Sequence, residues 1–360
     1  MSDSLTTYSL GIQNDIHHML SRFFAEKKAE SKKDNLQLED MYDHLQTFCI
    51  RGGKRIRPLL VKTVHQLFSP YDEGDVLPIM CAVEMLHQYL MMLDDVADRD
   101  EYRHHAPTLE MTYRMQFQHE KDALHLGRTF SEISSAIQNT CISDLLFSST
   151  APLEQKKNIL LYMNTVMYRN TVAGWKLHFL QNLVPIDQAS QEEYMRGLFL
   201  VSAQYTFVGP MHIGTMIRES KDSIRSRPIL QTYGTEVGVA FQLEDDILGV
   251  FGETEKTGKP VGNDIREGKK TILIQEAYAR ASLKEKQIIR RCIGSPLTSE
   301  DLEQIQTIIK NTGALQQSQE RIRISTQRGI DALQALPDSA NTTSIQYLID
   351  LAKKLQNREV

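Results

Sequence analysis

Apolar residues recur along the chain at intervals of three and four, as in Leu60, Val64 and Leu67 or Ile159, Tyr162, Met163, Val166 and Met167. That is the repeat of a helix with one buried face, and the period-two alternation of strands is almost absent. The pattern predicts an all-α protein. Breaks at Ser69-Pro70, Ala106-Pro107, Ala151-Pro152, Pro185, Arg227-Pro228, Phe251-Gly252, Gly258-Lys259-Pro260, Gly294-Ser295-Pro296 and Pro337 give on the order of ten helices with short connections. No low-complexity linker or internal repeat divides the chain. The expected organisation is one helical domain over residues 1–360, with an N-terminal arm to about residue 37 and a charged C-terminal third after the 251–268 loop.

One apolar stretch ends in acid. From Met80 to Leu93 the chain reads as a helix buried on most of its circumference, and it delivers Asp94, Asp95 and Asp98. At i and i+4, Asp94 and Asp98 share a helix face with Cβ atoms roughly 5–6 Å apart. Carboxylates so placed repel one another. They suit either a solvated helix end or a hard divalent cation such as Mg²⁺, which takes one or two carboxylates, keeps water and completes its shell with phosphate. A second acidic pair, Asp245 and Asp246 in FQLEDDILG, favours the cation. His87 stands two turns before Asp94 and reads as either a core histidine or a donor to an anionic substrate.

Composition narrows the choices. With 360 residues, 41% of them hydrophobic, the chain can build a large core, while a net charge of -5 and a pI near 6.1 argue against a nucleic-acid partner. Four scattered cysteines (Cys49, Cys81, Cys141 and Cys292) make no disulfide framework or CxxC metal site and fit a reducing compartment. The N-terminus shows no signal pattern, and no run approaches the ~18 consecutive apolar residues of a membrane span. A soluble protein of the cytoplasm is expected.

Three basic clusters are candidates for binding phosphate. Arg51-Gly52-Gly53-Lys54-Arg55-Ile56-Arg57-Pro58 pairs glycines with the charges of Lys54, Arg55 and Arg57, but lacks the Ser/Thr and the preceding strand of a Walker loop. Arg99, Arg103, His104 and His105 follow the acidic helix. Thr257-Gly258-Lys259-Pro260, with Asp264, Arg266, Lys269 and Lys270, follows the second acidic pair. Together with two acidic faces, they describe a cavity for metal and more than one phosphate.

The order GGKRIRP, then ExLHxxxxxxDDxxDxDxxR…PT, then FQLEDDILGVFG…TGKPVGNDIREGKKT resembles the trans-isoprenyl diphosphate synthases. The resemblance spans residues 45–280 and implies helices around a deep central cavity, Mg²⁺ between the two aspartate-rich motifs (three ions with substrate bound) and commonly a homodimer. It implies that Asp94, Asp95, Asp98 and Asp245 are metal ligands, with Asp246 in support. Arg103 and Lys259 would bind the allylic diphosphate, and Lys54, Arg57 and His87 isopentenyl diphosphate. Gln242 would line the reacting region, and Lys269 would close over the allylic diphosphate. Such chemistry needs a held leaving group and a positioned alkene, not a nucleophilic triad.

The chain also departs from that family's pattern. Val201 and Ser202 stand where a Lys-Thr pair is usual, and Gly174-Trp175-Lys176-Leu177-His178 where Gly-Gln-x-x-Asp is usual. His104 replaces the motif's second arginine, Leu93 a frequent histidine, and Gly249 the third acid of the second motif. Lys176 or His178 is a candidate to restore lost charge. An inactive or weakly active partner subunit of a heteromeric synthase is therefore the alternative to an active short-chain enzyme. A class I terpene cyclase fits less well, because its second motif usually resembles NSE or DTE and it has no use for GGKRIRP. Tyr89, five residues before Asp94, lies about 7.5 Å down the helix and is the expected floor for product length, favouring geranylgeranyl over farnesyl diphosphate.

Overall fold

A computed structural model describes residues 2–103, 105–252 and 261–356. These residues are helical apart from connections and one two-strand hairpin. The chain forms two compact units, Met1–Leu161 with Ile213–Ser220 and Tyr162–His212 with Lys221–Val360. Two of the three crossings, at 161/162 and 212/213, fall inside helices. No shift in composition marks them.

In the first unit, α1 (Ser2–Asp34) packs on α2 (Glu39–Ile50). Leu5, Ile12, Ile16, Leu20 and Phe24 form its inward face, all buried. The segment expected as an arm is a core helix. Next come α3 (Ile56–Phe68) and α4 (Glu73–Asp98), whose N-cap Asp72 accepts from the Asp75 N–H. Helix α4 packs against α1, α3 and α6 (Ala123–Ser148), with α5 (Leu109–Gln116) beside α6. Ile79, Met80, Val83 and Leu90 are fully buried, each worth about 1.5–3 kcal/mol relative to exposure. Among the described residues α4 alone is long and apolar enough to cross a membrane, and 78% of its apolar window is buried inside the protein.

Helix α7 (Leu153–Tyr162), which belongs to the first unit up to Leu161, leads through a π-helical turn, Met163–Tyr168, into α8 (Arg169–Leu183) of the second unit. Helix α9 (Gln191–Leu198) likewise runs through a π-helical stretch, Phe199–Val208, into α10 (Gly209–Met216). After α11 (Lys221–Arg225), α12 (Arg227–Phe251) forms the unit's central helix. It lies close on Phe199–Val208, since a Cβ on Gly238 would stand 2.5 Å from the Ala203 Cα. The chain ends in α13 (Asn263–Arg266), α14 (Ile272–Arg280), α15 (Leu283–Cys292), α16 (Ser299–Asn311), α17 (Ala314–Ala332) and α18 (Thr342–Gln356). Leu243, Ile247, Ile272, Ile274, Ile305 and Ile309 make the core around α12.

Candidate active site

In the first unit the site begins where α4 stops. Arg99 takes the left-handed conformation (φ 57°), and its N–H bonds to the carbonyls of Asp95 and Val96. The chain then reverses in a hairpin, β1 (Tyr102–Arg103) against β2 (Ala106–Pro107). Thr108 closes the reversal: its N–H donates to the Glu101 carbonyl at 2.9 Å, its hydroxyl donates to the Asp100 carbonyl at 2.9 Å, and its Oγ1 caps α5. Arg103 is thereby returned to the last turns of α4. Its guanidinium reaches Asp95 Oδ1 at 2.5 Å, Asp94 Oδ2 at 3.3 Å and Asp100 Oδ2 at 3.6 Å. Burial works against its charge, yet Asp95 and Asp94 outweigh burial and hold its pKa above the ordinary arginine value.

The three acids of the first motif are not equivalent. The Asp95 side chain is 2% exposed and anchors Arg103, whereas Asp94 is 23% exposed and Asp98 is half-buried. The more solvent-accessible carboxylates therefore sit at the i and i+4 positions.

The Gly-Gly loop is tied to the hairpin by Arg51, whose Nη1 donates to the Pro107 carbonyl and whose guanidinium lies over the Phe48 ring at 5.6 Å. Gly53, at φ 152°, takes a backbone conformation that costs other residues. Lys54 is exposed and Arg57 half-buried, as are His87 and Tyr89 on α4. Arg55 corrects the sequence expectation. It is 7% exposed and pairs with Glu84, itself 2% exposed, while its Nη2 donates to the carbonyls of Cys49 (2.8 Å) and Arg51 (2.6 Å). Gln88 adds a 2.7 Å bond to the same Glu84 oxygen. Arg55 thus supplies no charge to a ligand; it fastens the loop from below.

The second unit holds the other acidic pair. Asp245 is half-buried, and Asp246 is buried with both oxygens engaged. Gln242 Nε2 donates to Asp246 Oδ1 at 3.0 Å, the Tyr194 hydroxyl donates to Oδ2 at 2.9 Å, and the Ser202 hydroxyl donates to Gln242 Oε1. Burial first, then the nearby Asp264 and Asp245 carboxylates, push Asp246 up to about 7 against the pull of Gln242 and Tyr194. Burial, with Asp246 and Asp264 adding to it, also drives the Tyr194 phenol well above its usual value.

Asp264 is a residue the sequence did not single out as part of the acidic set. A Cβ on Gly249 would stand 2.6 Å from Asp264 Oδ2, so the carboxylate from α13 occupies the space left where the motif's third acid is missing. Lys269 bridges to it at 3.2 Å and to Glu267 at 2.6 Å. Lys270 is structural by contrast: buried, with its pKa lowered by that burial, it donates to the carbonyls of Asn182 (3.0 Å) and Gly268 (3.1 Å). Lys259 and His104 lie outside the described residues.

The two sequence departures prove to be neighbours. Gly174 packs under Val201, where an added Cβ would come within 2.6 Å of Val201 Cγ1. One turn on, His178 stacks on Tyr194 with centroids 5.2 Å apart and planes at 17°. Lys176 is exposed.

Comparison with known proteins agrees with these motifs. The family model for polyprenyl synthetases matches residues 37–311. The chain belongs to the polyprenyl synthetase family and is a trans-prenyltransferase. It is 28% identical over 351 residues to a geranylgeranyl diphosphate synthase of Saccharolobus solfataricus, spanning 96% of this chain and 97% of the relative. It is also 27% identical over 326 residues to a geranylfarnesyl diphosphate synthase of Aeropyrum pernix, spanning 83% and 89%. Among solved structures it resembles a geranylgeranyl pyrophosphate synthase of Corynebacterium glutamicum complexed with isoprenyl diphosphate and magnesium. That match has a TM-score of 0.89 and 27% identity over 97% of this chain and 99% of the other.

Proposed function

We propose that this protein condenses isopentenyl diphosphate with an allylic diphosphate in a Mg²⁺-dependent reaction, with geranylgeranyl diphosphate as main product. The observation that carries the reading is the end of α4, where half-buried Asp94 and Asp98 flank a buried Asp95 that holds Arg103 in place. The donor chemistry fits the cation. Carboxylates at i and i+4 suit an ion that takes one or two carboxylates and fills its shell with water and phosphate.

Asp94, Asp98 and Asp245 would hold Mg²⁺, up to three ions with substrate bound, and Asp95 would act as the anchor of Arg103 rather than as a full ligand. When bound, the metal neutralises charge on the departing diphosphate. Arg103 adds a fixed cation, preorganised by its carboxylate partners, so that little reorganisation is needed as charge develops on the leaving group. Lys269, bridged to Asp264 within the second unit, would close over the allylic diphosphate. Lys54, Arg57 and His87 would hold the diphosphate of isopentenyl diphosphate, and the buried Arg55–Glu84 pair fixes the loop from which Lys54 projects. Positioning of the alkene then does the rest.

Product length follows from Tyr89. Its ring is half-buried on α4, about 7.5 Å below Asp94 at 1.5 Å per residue. Sequence identity alone does not decide the length, because relatives named for two product lengths are matched almost equally. Tyr89→Ala is expected to lengthen the main product by at least one isoprene unit while turnover persists. Chromatography of the dephosphorylated alcohols checks this: an unchanged alcohol would place the floor elsewhere. Chelating Mg²⁺ is expected to abolish turnover in parent and mutant alike.

A further inference from the structure

The segment Gly174–His178 leaves a question that the reaction does not answer. A helix that keeps its glycine but exchanges the usual acid for histidine must use that position differently. In the second unit this histidine packs its ring face against Tyr194, with centroids at 5.2 Å and planes 17° apart. Gly197 makes the approach possible, since a Cβ there would stand 2.5 Å from His178 Cδ2. The stacked phenol aims its hydroxyl at Asp246 Oδ2 (2.9 Å), and Gln242 takes the other oxygen (3.0 Å). His178, Tyr194, Asp246, Gln242 and Ser202 thus form one continuous chain of contacts across α8, α9, the π-helical stretch and α12.

We propose that His178 is a positioning residue for the second acidic motif, acting through its stack on Tyr194 and the Tyr194 hydroxyl on Asp246. The proposal rests on the Mg²⁺-dependent reading above. Asp245 is the preceding residue on α12, roughly 100° away round the helix, so a clamp on Asp246 sets the rotation at which the Asp245 carboxylate is presented. Groups that orient a metal ligand from behind typically change metal affinity or activity 10–100-fold when removed. The ring does this by shape and stacking, which are the properties an aromatic substitute retains.

Three variants of the full chain test this: His178→Ala removes the stack, His178→Phe restores a ring, and Tyr194→Phe keeps the ring but removes the hydroxyl. Two quantities are read, the Mg²⁺ concentration giving half-maximal rate and the gain in Tm on adding Mg²⁺ with inorganic diphosphate, which needs no turnover. His178→Ala and Tyr194→Phe are expected to raise the Mg²⁺ requirement about tenfold and to lose most of the Tm gain, with the KM for isopentenyl diphosphate nearly unchanged. His178→Phe is expected to stay close to the parent in both. Should His178→Ala fail to fold, the two phenylalanine variants still decide. Parent-like Mg²⁺ response in Tyr194→Phe, or a response in His178→Phe as poor as that of His178→Ala, overturns the proposal while leaving the proposed reaction intact. A parent protein with neither turnover nor a Tm gain overturns both.

Discussion

Asp94→Ala and Asp245→Ala are each expected to lower the condensation rate at least about a thousandfold, since metal-held stabilisation of several kcal/mol is lost and each ~1.4 kcal/mol is a factor of ten. Neither carboxylate is buried in the core, and Asp94 is 23% exposed. Helical content and Tm should therefore remain close to the parent. Steady-state kinetics beside circular dichroism separate chemistry from folding. Undiminished turnover in both variants would remove the acids from the mechanism, and equal loss of helicity would return them to a structural role. Asp95→Ala should behave differently, because it leaves Arg103 without its closest carboxylate. Its larger effect is expected on the KM for the allylic diphosphate.

The second large effect is on stability. Arg55 and Glu84 are buried together, and removing one member of such a pair typically costs about 3–5 kcal/mol because the other charge stays buried and uncompensated. Glu84→Ala should lower Tm by several degrees, with the first unit losing more than the second. It should also raise the KM for isopentenyl diphosphate, since Arg55 ties the carbonyls of Cys49 and Arg51 beneath the Gly-Gly loop. The double substitution Arg55→Met with Glu84→Leu should recover much of the lost Tm, because two apolar side chains leave no orphaned charge. Calorimetry checks both, and an unchanged Tm in Glu84→Ala would show the pair to be dispensable.

What the sequence disclosed, and what it hid, follows from the range of each interaction. Helix α4 was readable because its apolar run is local, and the acids at its end because i and i+4 share a face. Arg103 was singled out by its motif, but its bonds to Asp94 and Asp95 depend on a chain reversal set by the left-handed Arg99 and the capping Thr108. Arg55 looked like one more loop cation. Only Glu84, 29 positions later, makes it a buried anchor. Asp264 was hidden for the same reason: its carboxylate meets Gly249 across 15 positions, a pairing that no periodicity records. The stretch taken for an arm carries many charged and polar residues, and its inward set at 5, 12, 16, 20 and 24 stands out only once α2 is seen against it. The two units were invisible because two of the chain's three crossings between them fall inside helices.

Turnover by the purified full chain, with no other protein present, bears most directly on the central claim. Incubated with Mg²⁺, isopentenyl diphosphate and in turn the five-, ten- and fifteen-carbon allylic diphosphates, it should yield a dephosphorylated product that is mainly the twenty-carbon all-trans alcohol. The yield should vanish on chelation. No elongation of any starter would contradict the account and favour a partner subunit, and a cyclised hydrocarbon formed without isopentenyl diphosphate would make the protein a cyclase instead.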